Sequence, residues 1–183
     1  MKGIVFTEFM EMVESEFGIE MTDKLVMNSN IESKGVYTAI GTYDHSEIFK
    51  LVDTLSGTTG IDTVELFKIY GEYLFDRFSV NYPGLFEGID DPLTMLEMVD
   101  SYIHKEVLKL YPDAQLPSFE SNRLSKHKIE LIYTSERKMS DFAHGLILGC
   151  FKHFRSTAQI DVYKKSESEV IFNIEKLDEQ EDI

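Results

Sequence analysis

The feature that most constrains the fold is a change of hydrophobic period about two thirds of the way along the chain. Up to Leu110 the apolar residues recur every three or four positions, as on the buried face of a helix. Residues 7–17 carry Phe9, Met10, Val13 and Phe17 and stop at Gly18. Asp44 heads a second segment with Ile48, Leu51, Val52 and Leu55, closed by Ser56-Gly57. Asp62, with Glu65 three residues on, caps a third that runs from Val64 to Phe78 and ends before Pro83-Gly84. Asp91-Pro92 opens a long helix bearing Leu93, Leu96, Val99, Ile103, Val107 and Leu110. Then the period shifts. Residues 128–135 read as a strand, residues 140–154 as a helix, and residues 160–163 and 169–174 as a hairpin across 164–168. The implied fold class is α+β: a helical N-terminal part packed on an antiparallel sheet that carries a further helix.

With 183 residues and 43% hydrophobic content, the chain supports one sizeable core, so residues 1–183 are expected to form a single domain. The last residues, 177–183, read as a solvated acidic tail. Eighteen Lys and Arg against 33 Asp and Glu leave a formal charge of -15, with no basic face for nucleic acid or for a membrane surface. A lone Cys150 makes neither an internal disulfide nor a cysteine-built zinc site, which suits a reducing cytoplasm. No signal-peptide core or spanning stretch interrupts this, and a soluble, unprocessed protein is expected.

Two features carry chemistry. His104 falls within roughly 40° of Leu93, Leu108 and Tyr111 on a helical wheel, which sets an imidazole beside an apolar stripe. Tyr133, Ser135 and Arg137 alternate along an extended segment, so a phenol, a hydroxyl and a guanidinium share one face. That trio suits a ligand with two carboxylates. Taken alone, such a histidine is more often a half-buried packing residue. The trio alone also describes an amphipathic edge strand with a surface ion pair.

In combination the two resemble the haem nitric-oxide/oxygen-binding (H-NOX) domains related to the sensor domain of soluble guanylate cyclase. The resemblance runs over nearly the whole chain: Met1-Lys2-Gly3, the helix bearing His104, Leu116-Pro117, the segment Tyr133-Thr134-Ser135-Glu136-Arg137-Lys138-Met139, and Gly145-Leu146. It implies haem buried between the helical part and the sheet, with His104 as the iron ligand and Tyr133, Ser135 and Arg137 gripping the propionates. Pro117 and Val5 would press on the porphyrin. The absence of a Cys-x-x-Cys-His motif implies non-covalent, b-type haem. Gly145 and Gly149 would serve either close approach to the haem or tight packing of the last helix on the sheet.

Oxygen-binding members of that family have a distal tyrosine supported by a tryptophan and an asparagine. The aligned positions here are Phe142, Phe9 and Leu74, which implies nitric oxide as the gas and carbon monoxide as a second ligand, and Phe78 and Leu146 are further expected haem-binding residues. Tyr70, Tyr73 and His144 are the residues able to restore polarity, although His144 should face away from a haem touched by Phe142. Nitric oxide would weaken or break the bond between iron and His104. The chain is then expected to signal in trans, as a non-enzyme, to a bacterial histidine kinase or to a diguanylate cyclase or phosphodiesterase of cyclic-di-GMP. An oxygen sensor of the same fold, a peroxidase-like haem enzyme and a haem-free interaction domain are the alternatives. His45, His127 and His153 read as surface or packing residues.

Overall fold

The computed structural model describes residues 1–177, so the acidic run from 178 onward lies outside the described residues; Leu177 itself ends a strand. Among the described residues the chain runs α1 (Gly3–Phe17), α2 (Ile19–Asn28), α3 (Ser46–Thr59), α4 (Thr63–Asn81), a 3-10 turn (Pro83–Leu85), α5 (Pro92–Glu97), a π turn (Val99–Ile103) and α6 (His104–Leu110). It continues with β1 (Ser118–Arg123), β2 (Lys128–Thr134), α7 (Ser140–His153), β3 (Thr157–Lys164) and β4 (Glu169–Leu177). The architecture is the expected α+β.

Helix α1 begins four residues before its periodicity suggested. Its first donors are satisfied by a neighbouring loop: Gly3 N–H donates to Gly41 O at 2.8 Å and Ile4 N–H to Ala39 O at 3.0 Å. A β-carbon at residue 3 would run into the Thr38 carbonyl, so only glycine lets that loop approach. Phe6, Phe9, Met12 and Val13 of α1 are fully buried. The Tyr70 hydroxyl donates to the Val5 carbonyl, and Arg77 Nε donates to Glu8 Oε2 at 2.9 Å, fastening α1 to α4. Asp62 accepts from Val64 N–H at 2.9 Å, a cap worth about 1 kcal/mol. Helix α3 does not stop at Ser56-Gly57: it passes through Gly57 and ends at Gly60, whose φ of 77° supplies the left-handed turn.

The sheet has the order β1-β2-β4-β3 and is antiparallel throughout. Tyr133 stands between Phe119 of β1 and Val170 of β4, and Leu131 faces Phe172. Alternation puts Ile129, Leu131, Tyr133, Val170, Phe172 and Ile174 on one buried face, where they meet Ile147 and Phe151 of α7. Helix α7 in turn lies against α4. At Gly71, Gly145 and Gly149 a β-carbon would strike the opposite helix, so these glycines serve a helix–helix contact, neither the sheet nor direct approach to a ligand. Burying Leu51, Leu55 and Leu66 stabilises the helical core by roughly 1.5–3 kcal/mol each.

The long helix expected from Pro92 to Leu110 is broken. Tyr102 N–H and Ile103 N–H both donate to Met98 O, at 2.9 and 3.1 Å, and five residues adopt a π turn before α6 starts at His104. The extra residue changes the phase of the helix: Leu93 is fully buried before the break, whereas Leu108 faces solvent after it.

Candidate functional site

Between the helical core and the sheet lies a cavity of about 250 Å³. Its walls come from α1, α4, the α5-to-α6 segment, the stretch 114–117, β1, β2 and α7. His104, Tyr133, Ser135, Arg137, Pro117, Val5, Leu74, Phe78, Phe142 and Leu146 all line it. Phe9 does not: it sits one layer behind, edge-on to Tyr70 at 5.1 Å between ring centroids, so the ungapped alignment put it too close.

His104 occupies the first position of α6, with its side chain 16% exposed. Burial holds its pKa below the usual histidine value, against the opposing pull of the Asp100 carboxylate. The imidazole is therefore neutral near pH 7, the form that ligates metal. Its Nδ1 lies 3.0 Å from Asp100 Oδ1, its Nε2 has no hydrogen-bond partner among the described residues, and its ring lies 5.9 Å from that of Phe119. Asp100 Oδ1 also accepts from Phe119 N–H at 3.2 Å.

Tyr133, Ser135 and Arg137 converge, although not by strand alternation. Strand β2 ends at Thr134, Ser135 N–H pairs with Ser168 O at 2.9 Å, and residues 136–137 form a turn that leads to Lys138 at φ 54°. Ser135 Oγ accepts from Arg137 N–H at 3.2 Å, which folds the guanidinium back toward the cavity. Arg137 donates to Gln115 O at 2.5 Å and to Gln115 Oε1 at 3.1 Å. Its remaining donors are available to an anion. The Tyr133 oxygen accepts from Met139 N–H at 3.2 Å, and burial raises its pKa, so it stays a phenol.

The opposite wall is apolar. Val5, Leu74, Phe78, Phe142 and Leu146 offer no side-chain donor. Tyr70 is buried behind Phe142, its ring 5.0 Å away and its hydroxyl committed to Val5. Tyr73 stands in a separate shallow depression with Glu11 and Glu14. His144 faces the sheet, 5.8 Å from the Phe172 ring, as the helical wheel indicated. Sequence reasoning missed Gln115, Asp100 and two phenols, Tyr82 and Tyr111, which line the cavity with hydroxyls 3.5 Å apart. An acid four residues ahead of a helical histidine was the available signal for Asp100.

One neutral imidazole nitrogen in an apolar chamber, with a guanidinium and two hydroxyls at its edge, fits a flat apolar group that carries a metal and peripheral carboxylates. Haem meets that description. Among the described residues no cluster of three or more His, Cys, Asp or Glu stands ready for a bare metal ion, and no helix is long and apolar enough to cross a membrane.

Comparison with known proteins agrees. The family model described as haem-NO-binding matches residues 2–162. The fold is similar to an Fe(II) unliganded H-NOX protein from K. algicida, in its A71G form, at 43% identity and a TM-score of 0.92, with 98% of each chain covered. It is similar also to the H-NOX from Shewanella woodyi in the Fe(II)CO state bound to IWP-051, at 39% identity and 0.83, covering 97% of this chain and 95% of that one. An H-NOX protein from S. oneidensis in the Fe(II)NO state matches at 26% identity and 0.89, covering 97% of this chain and all of the other. No curated protein matches.

Proposed function

The chain belongs to the haem-NO-binding family, and on that premise we propose that it is a nitric oxide sensor that holds b-type haem between His104 and the Tyr133-Ser135-Arg137 edge. Haem supplies the ferrous iron at which the gas binds. His104 would offer Nε2 as a neutral donor, and Tyr133, Ser135 and Arg137 would hold the propionates by charge-assisted hydrogen bonds. Pro117 and Val5, which line the cavity, would press on the macrocycle, and the apolar walls would keep water out.

The observation that carries the choice of gas is the wall of Val5, Leu74, Phe78, Phe142 and Leu146. Oxygen on ferrous iron gathers negative charge and is favoured by a nearby donor, whereas nitric oxide needs little such help. Tyr70, Tyr73 and His144, the residues the sequence offered to restore polarity, do not line the cavity. Oxygen sensing is the second reading, favoured by the presence of Tyr82 and Tyr111 in the lining, but those hydroxyls face each other. A peroxidase-like enzyme would need an acid-base pair, and His104 is the one imidazole lining the cavity among the described residues.

Signalling follows from where His104 stands. It begins a short helix behind a π turn, and that helix exposes Leu108 and Leu110. Loss of the hold on His104 frees α6 to shift, a two-state element that a partner in trans can read. A histidine kinase or a cyclic-di-GMP enzyme in a bacterial cytoplasm is the partner class that fits the family. The test is spectroscopic. The reduced, haem-loaded protein should form no stable oxygen spectrum in air and should change to a five-coordinate spectrum with nitric oxide. A stable oxygen spectrum would overturn the assignment of the gas.

A further inference from the structure

We propose that Asp100 is a positioning residue for His104, fixing which ring nitrogen faces the cavity and tying the imidazole to strand β1; this rests on the reading of His104 as the iron-side ligand. A carboxylate only accepts hydrogen bonds, so the hydrogen in the 3.0 Å contact belongs to Nδ1. Nε2 therefore keeps its lone pair, on a ring that lines the cavity. A neutral histidine without such a partner samples both tautomers, and a flip of the ring exchanges the two nitrogens.

The second contact makes Asp100 more than a local acceptor. The same Oδ1 takes the Phe119 N–H at 3.2 Å, and the Phe119 ring lies against the imidazole. One oxygen thus joins three elements: the π turn that carries Asp100, the start of α6 that carries His104, and the edge strand β1. A shift of His104 either breaks this junction or moves with it, which gives the imidazole a mechanical link to the sheet besides its own helix.

The Asp100 side chain is 51% exposed, so its charge stays hydrated and the ion pair contributes little to folding. Its effect falls on the histidine. A carboxylate that draws the Nδ1 proton increases electron density at Nε2 and makes it a stronger donor, and loss of such a partner typically weakens metal binding by 10–100-fold.

The test compares Asp100→Asn and Asp100→Leu with the wild type, all haem-loaded and reduced, by resonance Raman of the iron–histidine stretch and by the rate of haem transfer to an acceptor globin. Thermal unfolding of the haem-free variants controls for folding. The Asn variant keeps the shape and a weaker acceptor, so its stretch should fall slightly. The Leu variant should fall further and release haem roughly tenfold faster, with haem-free melting close to wild type. Wild-type frequency and haem loss in both variants would overturn the role of Asp100 and leave the ligand assignment standing. If Leu fails to fold, the Asn variant decides. A wild-type protein without the histidine stretch, or one that keeps it in His104→Gly, would overturn the ligand assignment and the proposal with it.

Discussion

Replacing glycine by alanine inside a helix ordinarily stabilises it by about 0.5–1 kcal/mol, and Gly57 and Gly145 should respond to that one substitution with opposite signs. Gly57 lies within α3 with nothing within 4 Å of a β-carbon built on it. Gly145 lies in α7, where a β-carbon would come within 2.8 Å of both Cα and C of Lys68 and closer still to its carbonyl oxygen. Ordinary contact begins at 3.4 Å, so α4 and α7 must part by about 0.6 Å or more. The obstructing atoms are backbone, and no rotamer relieves them. Gly71 and Gly149 sit in the same contact, each with backbone or Cβ atoms of the facing helix within 2.7 Å of a built β-carbon, so the strain cannot be absorbed one turn away. Overpacking of this kind costs about 1–3 kcal/mol, which outweighs the helical gain. For a chain of this size, where 1 kcal/mol moves Tm by about 2–4 °C, the net loss of up to about 2.5 kcal/mol should melt Gly145→Ala up to about 10 °C lower, and Gly57→Ala should melt about 1–4 °C higher. Phe142 and Leu146 ride on α7, so Gly145→Ala should also alter nitric oxide release from the haem-loaded protein. Equal stabilisation by both substitutions, followed by circular dichroism, would refute the close contact between α4 and α7.

Phe142→Tyr places a hydroxyl on the apolar wall; a bond to the charge on oxygen, worth about 1.5–3 kcal/mol, should slow oxygen release roughly 10–100-fold, and stopped-flow spectroscopy would detect its absence. Arg137→Ala should speed haem loss by about tenfold, with Arg137→Lys between it and wild type, because a lysine keeps the charge without the planar fork; equal rates in all three would exclude Arg137 from the edge that holds the propionates. The haem-free protein should lose stability as pH falls from about 6.5. Burial depresses His104 and His144 below that ordinary value, so the unfolded chain takes up protons there that the folded chain refuses. Above that pH both are neutral in either state and the dependence fades. His144→Phe should flatten the profile, and an unchanged Tm between about pH 7 and 5.5 would show that the two rings are not desolvated.

Most of the helical half was legible because it buries one face. Leu51, Val52 and Leu55 or Leu66, Tyr70 and Leu74 repeat at the spacing that burial demands. Helix α2 was not, since it buries Leu25 alone and starts at a glycine without a side-chain cap. Strand β1 escaped for a similar reason: Ser-Phe-Glu-Ser-Asn-Arg is an edge, paired on one side, and its order comes from β2 rather than from its own side chains. The π turn has no composition of its own, so periodicity read straight through it. At the site, His104 and the Tyr133-Ser135-Arg137 trio were recognisable by type and spacing. The way they meet was not, because Arg137 arrives from a turn rather than along a strand. Phe9 was misplaced by one layer, since an alignment without side-chain directions cannot separate a cavity wall from the residue behind it.

The measurement that tests the central claim most directly is titration of the reduced, haem-free protein with haem, wild type beside His104→Ala and Lys165→Ala. The wild type and the Lys165 variant, whose ammonium pairs with Glu169 at the exposed β3–β4 hairpin, should take up haem and show a five-coordinate ferrous spectrum. The His104 variant should lose that spectrum and recover it when imidazole is added. Identical spectra in all three proteins, or a wild type that remains colourless with added haem, would contradict the account.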